Sequence, residues 1–165
     1  MLSVPRYSQK PSYCGPSVLR MVAAYFGVRV SEEKLGTLCR TTLEQGTTHA
    51  DMVRAARALG FHVEEREHGT RDDLVRLVNE EKIPVIVGWF KVDEGHYSVV
   101  VNVTPKQVWI IDPYDAKTYR KSHQRFHSTW FDFRHGGVIE RHLSPDEQVC
   151  LGWYLVLRPK KKKRR

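Results

Sequence analysis

The periodicity of the apolar residues changes at residue 61, and no other feature constrains the fold of this chain as much. Before it, Val18, Leu19, Val22, Ala23 and Phe26 recur at i, i+3, i+4 spacing and stop at Gly27. That pattern predicts a helix opening at Ser12-Tyr13-Cys14-Gly15-Pro16. Pro16 suits a first helical turn, where its missing N–H costs no bond. Ser31 predicts the cap of a short second helix carrying Leu35 and Leu38. Thr48 with Asp51 starts a third, through Met52, Val53, Ala56 and Leu59 to Gly60, and Thr70 with Asp73 a fourth, through Leu74, Leu77 and Val78. Residues 2–8, with Pro5, read as an extended arm.

Beyond residue 60 the period becomes strand-like. Residues 61–65 form a short segment, and 83–90, 96–103 and 107–112 are longer runs rich in β-branched residues. A turn at Pro105-Lys106 makes the last two a hairpin, and 151–158 reads as one more strand of the same sheet. Helices first and antiparallel strands second predict an α+β fold, N-terminal helices packed on a C-terminal antiparallel β-sheet, because a parallel sheet needs the two to alternate.

The chain has 165 residues, 41% hydrophobic and 28% charged, with no apolar run near the roughly 18 residues of a bilayer span. The expectation is one domain over 1–159. The opening residues lack the apolar stretch of a secretory signal, which predicts a cytoplasmic protein. The formal charge of +8 is concentrated at the end: the six residues from Lys160 to Arg165 are all basic, and without them 21 basic residues face 19 acidic ones. We therefore expect a balanced domain with a disordered basic tail, through which alone nucleic acid or an anionic surface would be contacted. Three cysteines, far apart and without a C-x-x-C pair, predict free thiols and neither a disulfide framework nor a zinc site.

Cys14 lies at the mouth of the first predicted helix, where partial positive charge and unpaired N–H groups favour a thiolate. Cys39 and Cys150, among apolar neighbours, read as packing residues. Of the eight histidines, His96 begins a strand directly after the turn Asp93-Glu94-Gly95, so it projects from a sheet end while the rest of the strand is anchored. His49, His62, His68, His123, His127, His135 and His142 read as exposed or merely hydrogen-bonded. Asp112 ends the partner strand, and a register in which residue numbers add to 208 sets it directly opposite His96; Asp93 and Asp115 are the competing turn aspartates. Gln9, five residues before Cys14, can add its amide N–H to the backbone N–H of Cys14 as an oxyanion hole.

These residues carry a resemblance. Ser8-Gln9, four further residues and Cys14-Gly15-Pro16-Ser17-Val18-Leu19-Arg20-Met21-Val22 are similar to the active-site segment of the double-glycine-leader (bacteriocin-processing) cysteine peptidases, a papain-like family. Gly95-His96-Tyr97-Ser98-Val99-Val100 and Ile110-Ile111-Asp112-Pro113 resemble its other two motifs, in the same order. Gly46 to Asp51 with Ala58 to Phe61 resembles its middle helix, and Phe126 to Trp130 its late segment. The resemblance covers about residues 4–157. It implies a papain-like fold, Cys14 as nucleophile, His96 as general base and then acid, Asp112 as orienter and Gln9 as oxyanion donor, with a peptide or protein substrate and no cofactor or metal. The sequence shows neither membrane spans nor a Walker A motif, so it resembles a stand-alone relative. Two other readings stay open: an acyltransferase or transpeptidase using the same acyl-enzyme, and a non-catalytic peptide-binding module.

Overall fold

The computed structural model describes residues 1–91, 94–134, 144 and 148–160. Asp93, His135, His142 and the basic run beyond Lys160 lie outside the described residues. The helical half follows the caps. Helix α1 spans Cys14–Tyr25, α2 Glu32–Leu38 and α3 His49–Ala58. Ser31 and Thr48 each accept a bond from the backbone N–H three residues on, and Gly27 and Gly60 end their helices at positive φ. Thr70 and Asp73 form a reciprocal capping box on α4, Arg71–Leu74. Only one turn is α-helical there; Val75–Glu80 continue as a π-helical turn.

Among the described residues eight strands are formed: β1 Phe61–Arg66, β2 Val85–Lys91, β3 Glu94–Val103, β4 Gln107–Asp112, β5 Lys117–Ser122, β6 Phe131–Phe133, β7 Val149–Leu151 and β8 Tyr154–Pro159. A fifth helix, α5 His123–Thr129, lies between β5 and β6. Six strands form an antiparallel sheet in the order β1-β8-β2-β3-β4-β5, and β6 pairs with β7 apart from it. The α+β class holds, with two corrections. The predicted strand over 151–158 is two strands in two sheets, separated at Gly152-Trp153, where Gly152 takes positive φ and its N–H bonds the Trp130 carbonyl. The polar stretch after 115 carries β5 and α5, whose surface faces dilute the apolar pattern.

The helices do not cover one face alone. On one side of the sheet, α1, α2 and α3 bury Val18, Leu19, Val22, Leu35 and Met52 against Ile86, Val99, Val101 and Leu155. On the other, α4, the π turn and α5 bury Leu74, Leu77 and Phe126 against Val85, Val87, Val100 and Ile110. Burial on both faces explains why β2 and β3 are nearly continuous apolar runs. Fully burying one such side chain contributes about 1.5–3 kcal/mol, so the strand ends that carry polar groups are held by a rigid body.

The β3–β4 register differs from the predicted sum of 208. Val103 pairs with Val108 near the turn, but Val99 pairs with Ile111 beyond a bulge between Val100 and Asn102, so the sum falls from 211 to 210. Asn79 on the π turn bonds both the carbonyl (2.5 Å) and the N–H (3.2 Å) of Val103, past the last β2–β3 pair at Val100. On this register Asp112 faces Ser98, two residues from His96. An even offset leaves both side chains on the same face, which is why the predicted pair still meets.

Candidate active site

The loop before α1 is pinned at several points. Leu2 N–H bonds the Val101 carbonyl (2.8 Å), so the arm lies along β3, and Gln9 N–H bonds the Pro113 carbonyl (2.8 Å), next to Asp112. Buried Glu32 on α2 accepts from Lys10 N–H (3.2 Å) and from the Ser17 hydroxyl (2.9 Å), tying this loop to α1. Tyr13, the residue ahead of the helix, supplies no side-chain cap. The first backbone N–H groups of α1, at Cys14 and Gly15, therefore keep their donor capacity for whatever enters the cleft. Gly15 has a packing reason: a Cβ there would come within 2.8 Å of the Thr47 side chain and 2.9 Å of the Met52 sulfur.

Cys14 is half-buried and His96 almost fully buried, and both line a cleft of about 160 Å³ with Gln9, Leu43, Gly46 and Gly95. His96 Nε2 donates to Asp112 Oδ1 at 2.7 Å, which leaves Nδ1 available, and the Cys14 thiol across the cleft is among the groups that favour the charged ring. Trp89, opposite His96 in the β2–β3 pairing, sets its ring edge-on at 5.8 Å and is itself anchored to the Ser98 hydroxyl (2.9 Å). Burial is the largest influence on His96 and opposes its charged form. The bonds to Asp112 and Cys14 and their charges more than offset it, raising the imidazole to about 9. Burial likewise pushes the Asp112 carboxyl up, but His96, Lys91 and the Tyr114 N–H outweigh it and hold Asp112 below the usual carboxylate range.

Three of the four predicted residues thus form one chain of contacts, Cys14 to His96 to Asp112. Gln9 reaches the same cleft, but its Nε2 donates to the Lys10 carbonyl (3.3 Å) and its Oε1 is buried without a partner. The competitors lie elsewhere. Asp115 accepts from the Tyr119 hydroxyl (2.7 Å), His123 bonds the Thr104 carbonyl (2.8 Å), and His62, His68 and His127 are exposed. Burial raises the thiol of Cys39 to about 12 and that of Cys150 further, as expected of packing residues.

Two groups were missed in the sequence. Lys91 donates to Asp112 Oδ2 at 2.8 Å, so the carboxylate is gripped on both oxygens. A lysine closing an otherwise apolar strand, two residues from Trp89 and so on its face, was the legible sign. The second is a buried pair, His49 Nε2 to Asp132 Oδ2 at 3.2 Å, with His49 stacked on Trp153 at 4.0 Å. Burial raises the Asp132 carboxyl against the pull of His49. Asp132 packs on the backbone of β2 and β3 so closely that a Cβ on Gly88 or Gly95 would overlap its carboxylate oxygens. The residue before His96 is held by that contact.

Among the described residues no helix is long and apolar enough to cross a membrane. The mesentericin transport/processing ATP-binding protein MesD of Leuconostoc mesenteroides is 32% identical over 124 residues, 68% of this chain. The lactococcin-G-processing and transport ATP-binding protein LagD of Lactococcus lactis is 27% identical over 127 residues, 75% of this chain. The chain spans only 16% and 17% of the lengths of these two proteins. Among solved structures, the peptidase domain of Streptococcus ComA, a bi-functional ABC transporter, is 28% identical with a TM-score of 0.71, covering 94% of this chain and 98% of that one. Residues 5–133, which contain the cleft and all three contacting residues, match the Peptidase C39 family, and this chain belongs to that family.

Proposed function

We propose that the chain is a thiol peptidase that hydrolyses a peptide bond through a thioester on Cys14, with papain-like chemistry. The observation that carries the reading is the 2.7 Å bond from His96 Nε2 to Asp112, which leaves the other ring nitrogen to serve the thiol. Cys14 Sγ attacks the carbonyl carbon as its proton rests on His96 Nδ1. The tetrahedral oxyanion is met by the Cys14 backbone N–H and, after rotation of its side chain, by the Gln9 amide. His96 then gives its proton to the departing amine as the C–N bond breaks. A water next loses a proton to His96 and attacks the thioester, releasing the acid and restoring the thiol. Asp112 keeps the ring oriented and stabilises the imidazolium.

A peptide substrate is supported by the processing role in the names of MesD and LagD and by the narrow cleft. Free thiols at Cys14, Cys39 and Cys150 support a reducing compartment, which we take to be the cytoplasm. Residues 1–159 form the catalytic unit in this reading, since β8 ends at Pro159, and the basic run from Lys160 serves placement. The test is alkylation with iodoacetamide at about pH 6, followed by mapping of the modified peptide. We expect a single modification at Cys14, and loss of peptide cleavage in Cys14→Ala with the melting temperature unchanged. Cleavage that survives Cys14→Ala removes the assignment.

A further inference from the structure

A second concavity opens on the sheet face that carries Asp112, bordered by α5. Its volume is about 310 Å³, and Lys91, Ile110, Asp112, Lys121 and Arg125 line it with Trp89. No residue lines both this cavity and the Cys14 cleft. Its charge is unbalanced. Three cations from β2, β5 and α5 face one carboxylate, Asp112, which is already committed to His96 and Lys91. Among the described residues Lys121 and Arg125 have no carboxylate partner. The Lys121 ammonium instead lies 4.1 Å over the Trp89 ring, half-buried, where burial and the neighbouring Arg125 push its pKa below the ordinary lysine value.

Holding the half-buried Lys121 ammonium beside the exposed Arg125 guanidinium opposes folding, because burial weakens the solvation of the lysine and the arginine repels it. An oxyanion removes that cost. Lysine ammonium and arginine guanidinium groups on separate elements give converging charge-assisted donors, and the guanidinium fork suits the paired oxygens of a phosphate or carboxylate. Trp89 and Ile110 supply an apolar floor. The volume lies at the low end of small-molecule sites, enough for one oxyanion group on a body the size of a single ring.

We propose that this pocket binds a small organic oxyanion, a phosphate or carboxylate group on a compact apolar body, through Lys121 and Arg125 over the Trp89–Ile110 floor. The experiment is calorimetric titration of the full chain with phenyl phosphate, benzoate and, as the uncharged control, benzyl alcohol. The reading needs no turnover, so its failure is distinct from failure of the peptidase assignment. Saturable binding of phenyl phosphate or benzoate is expected, weakened about tenfold or more in Lys121→Gln/Arg125→Gln and by added salt. The tighter of the two ligands tells phosphate from carboxylate. Melting curves check that the double variant is folded, and Lys121→Gln alone, with a smaller loss in the same direction, serves if it is not. The proposal is overturned if benzyl alcohol binds as tightly as the anions, if neither anion binds, or if the folded variants bind them like the parent.

Discussion

Replacing Asp112 by Asn tests the electrostatics of the site through a single atom. His96 is raised from 6.5 to about 9 by its bonds to Asp112 and Cys14, against the opposing effect of burial. The difference, about 2.5 pKa units, corresponds to about 3 kcal/mol. Since the folded value lies above the unfolded one, this stabilisation is fully present below about pH 6.5 and is lost as pH rises through about 9. Asp112 titrates below the ordinary carboxylate range and stays ionised throughout that window. In Asp112→Asn burial remains and only Cys14 still raises the ring, so the imidazole should titrate below about 9. Urea unfolding of the parent and the variant at about pH 6 and pH 10 should show a stability gap that narrows toward pH 10 by up to about 3 kcal/mol. Turnover gives a second readout. At about pH 8 the imidazolium fraction that protonates the departing amine is about nine-tenths in the parent and should be lower in the variant, by up to roughly 30-fold if the ring returned to its ordinary value, whereas at about pH 6 the two fractions should lie closer together. A stability gap independent of pH, or the same fold-loss in turnover at both pH values, would refute the reasoning.

Three further outcomes are expected. Gly95→Ala should destabilise by about 2 kcal/mol or more in thermal unfolding and lower activity, because the new methyl overlaps Asp132 beside His96; a neutral result would mean Asp132 is free to move. Gln9→Ala should lower kcat by roughly 100- to 1000-fold with little change in KM, the scale of one oxyanion donor; equal effects on both would assign Gln9 to substrate binding instead. Removing residues 160–165 should leave the melting temperature and intrinsic hydrolysis unchanged, since β8 ends at Pro159; a loss above about 1 kcal/mol would move the domain boundary.

Much of the site was legible because its signals are short-range. Ser31, Thr48 and Thr70 cap helices through atoms three residues away, and the Cys14 helix announces its buried stripe within four turns. His96 and Asp112 come from a hairpin whose turn is four residues of local chemistry, Thr104 to Gln107, closed by the Thr104 N–H to Gln107 carbonyl bond (2.8 Å). The bulge beyond that turn was invisible. Its one-residue shift takes the pairing sum from 211 to 210, and with it Asp112 comes to face Ser98, on the same side as His96.

The amino-acid order by itself determined the class of fold and the helix starts, and it set His96 and Asp112 on neighbouring strands of one hairpin, since propensity, capping and period-two alternation act over a few residues. Tertiary structure alone decided what surrounds them. Lys91 becomes a partner of Asp112 only once β2 lies beside β3 and β3 beside β4. His49 and Asp132, 83 residues apart, become a buried pair only when α3 and β6 close on the sheet. The 151–158 run divides because residue 152 must turn toward Trp130. Contacts of this kind are set by packing volume and by the need to satisfy buried charge, and both depend on the whole assembled core.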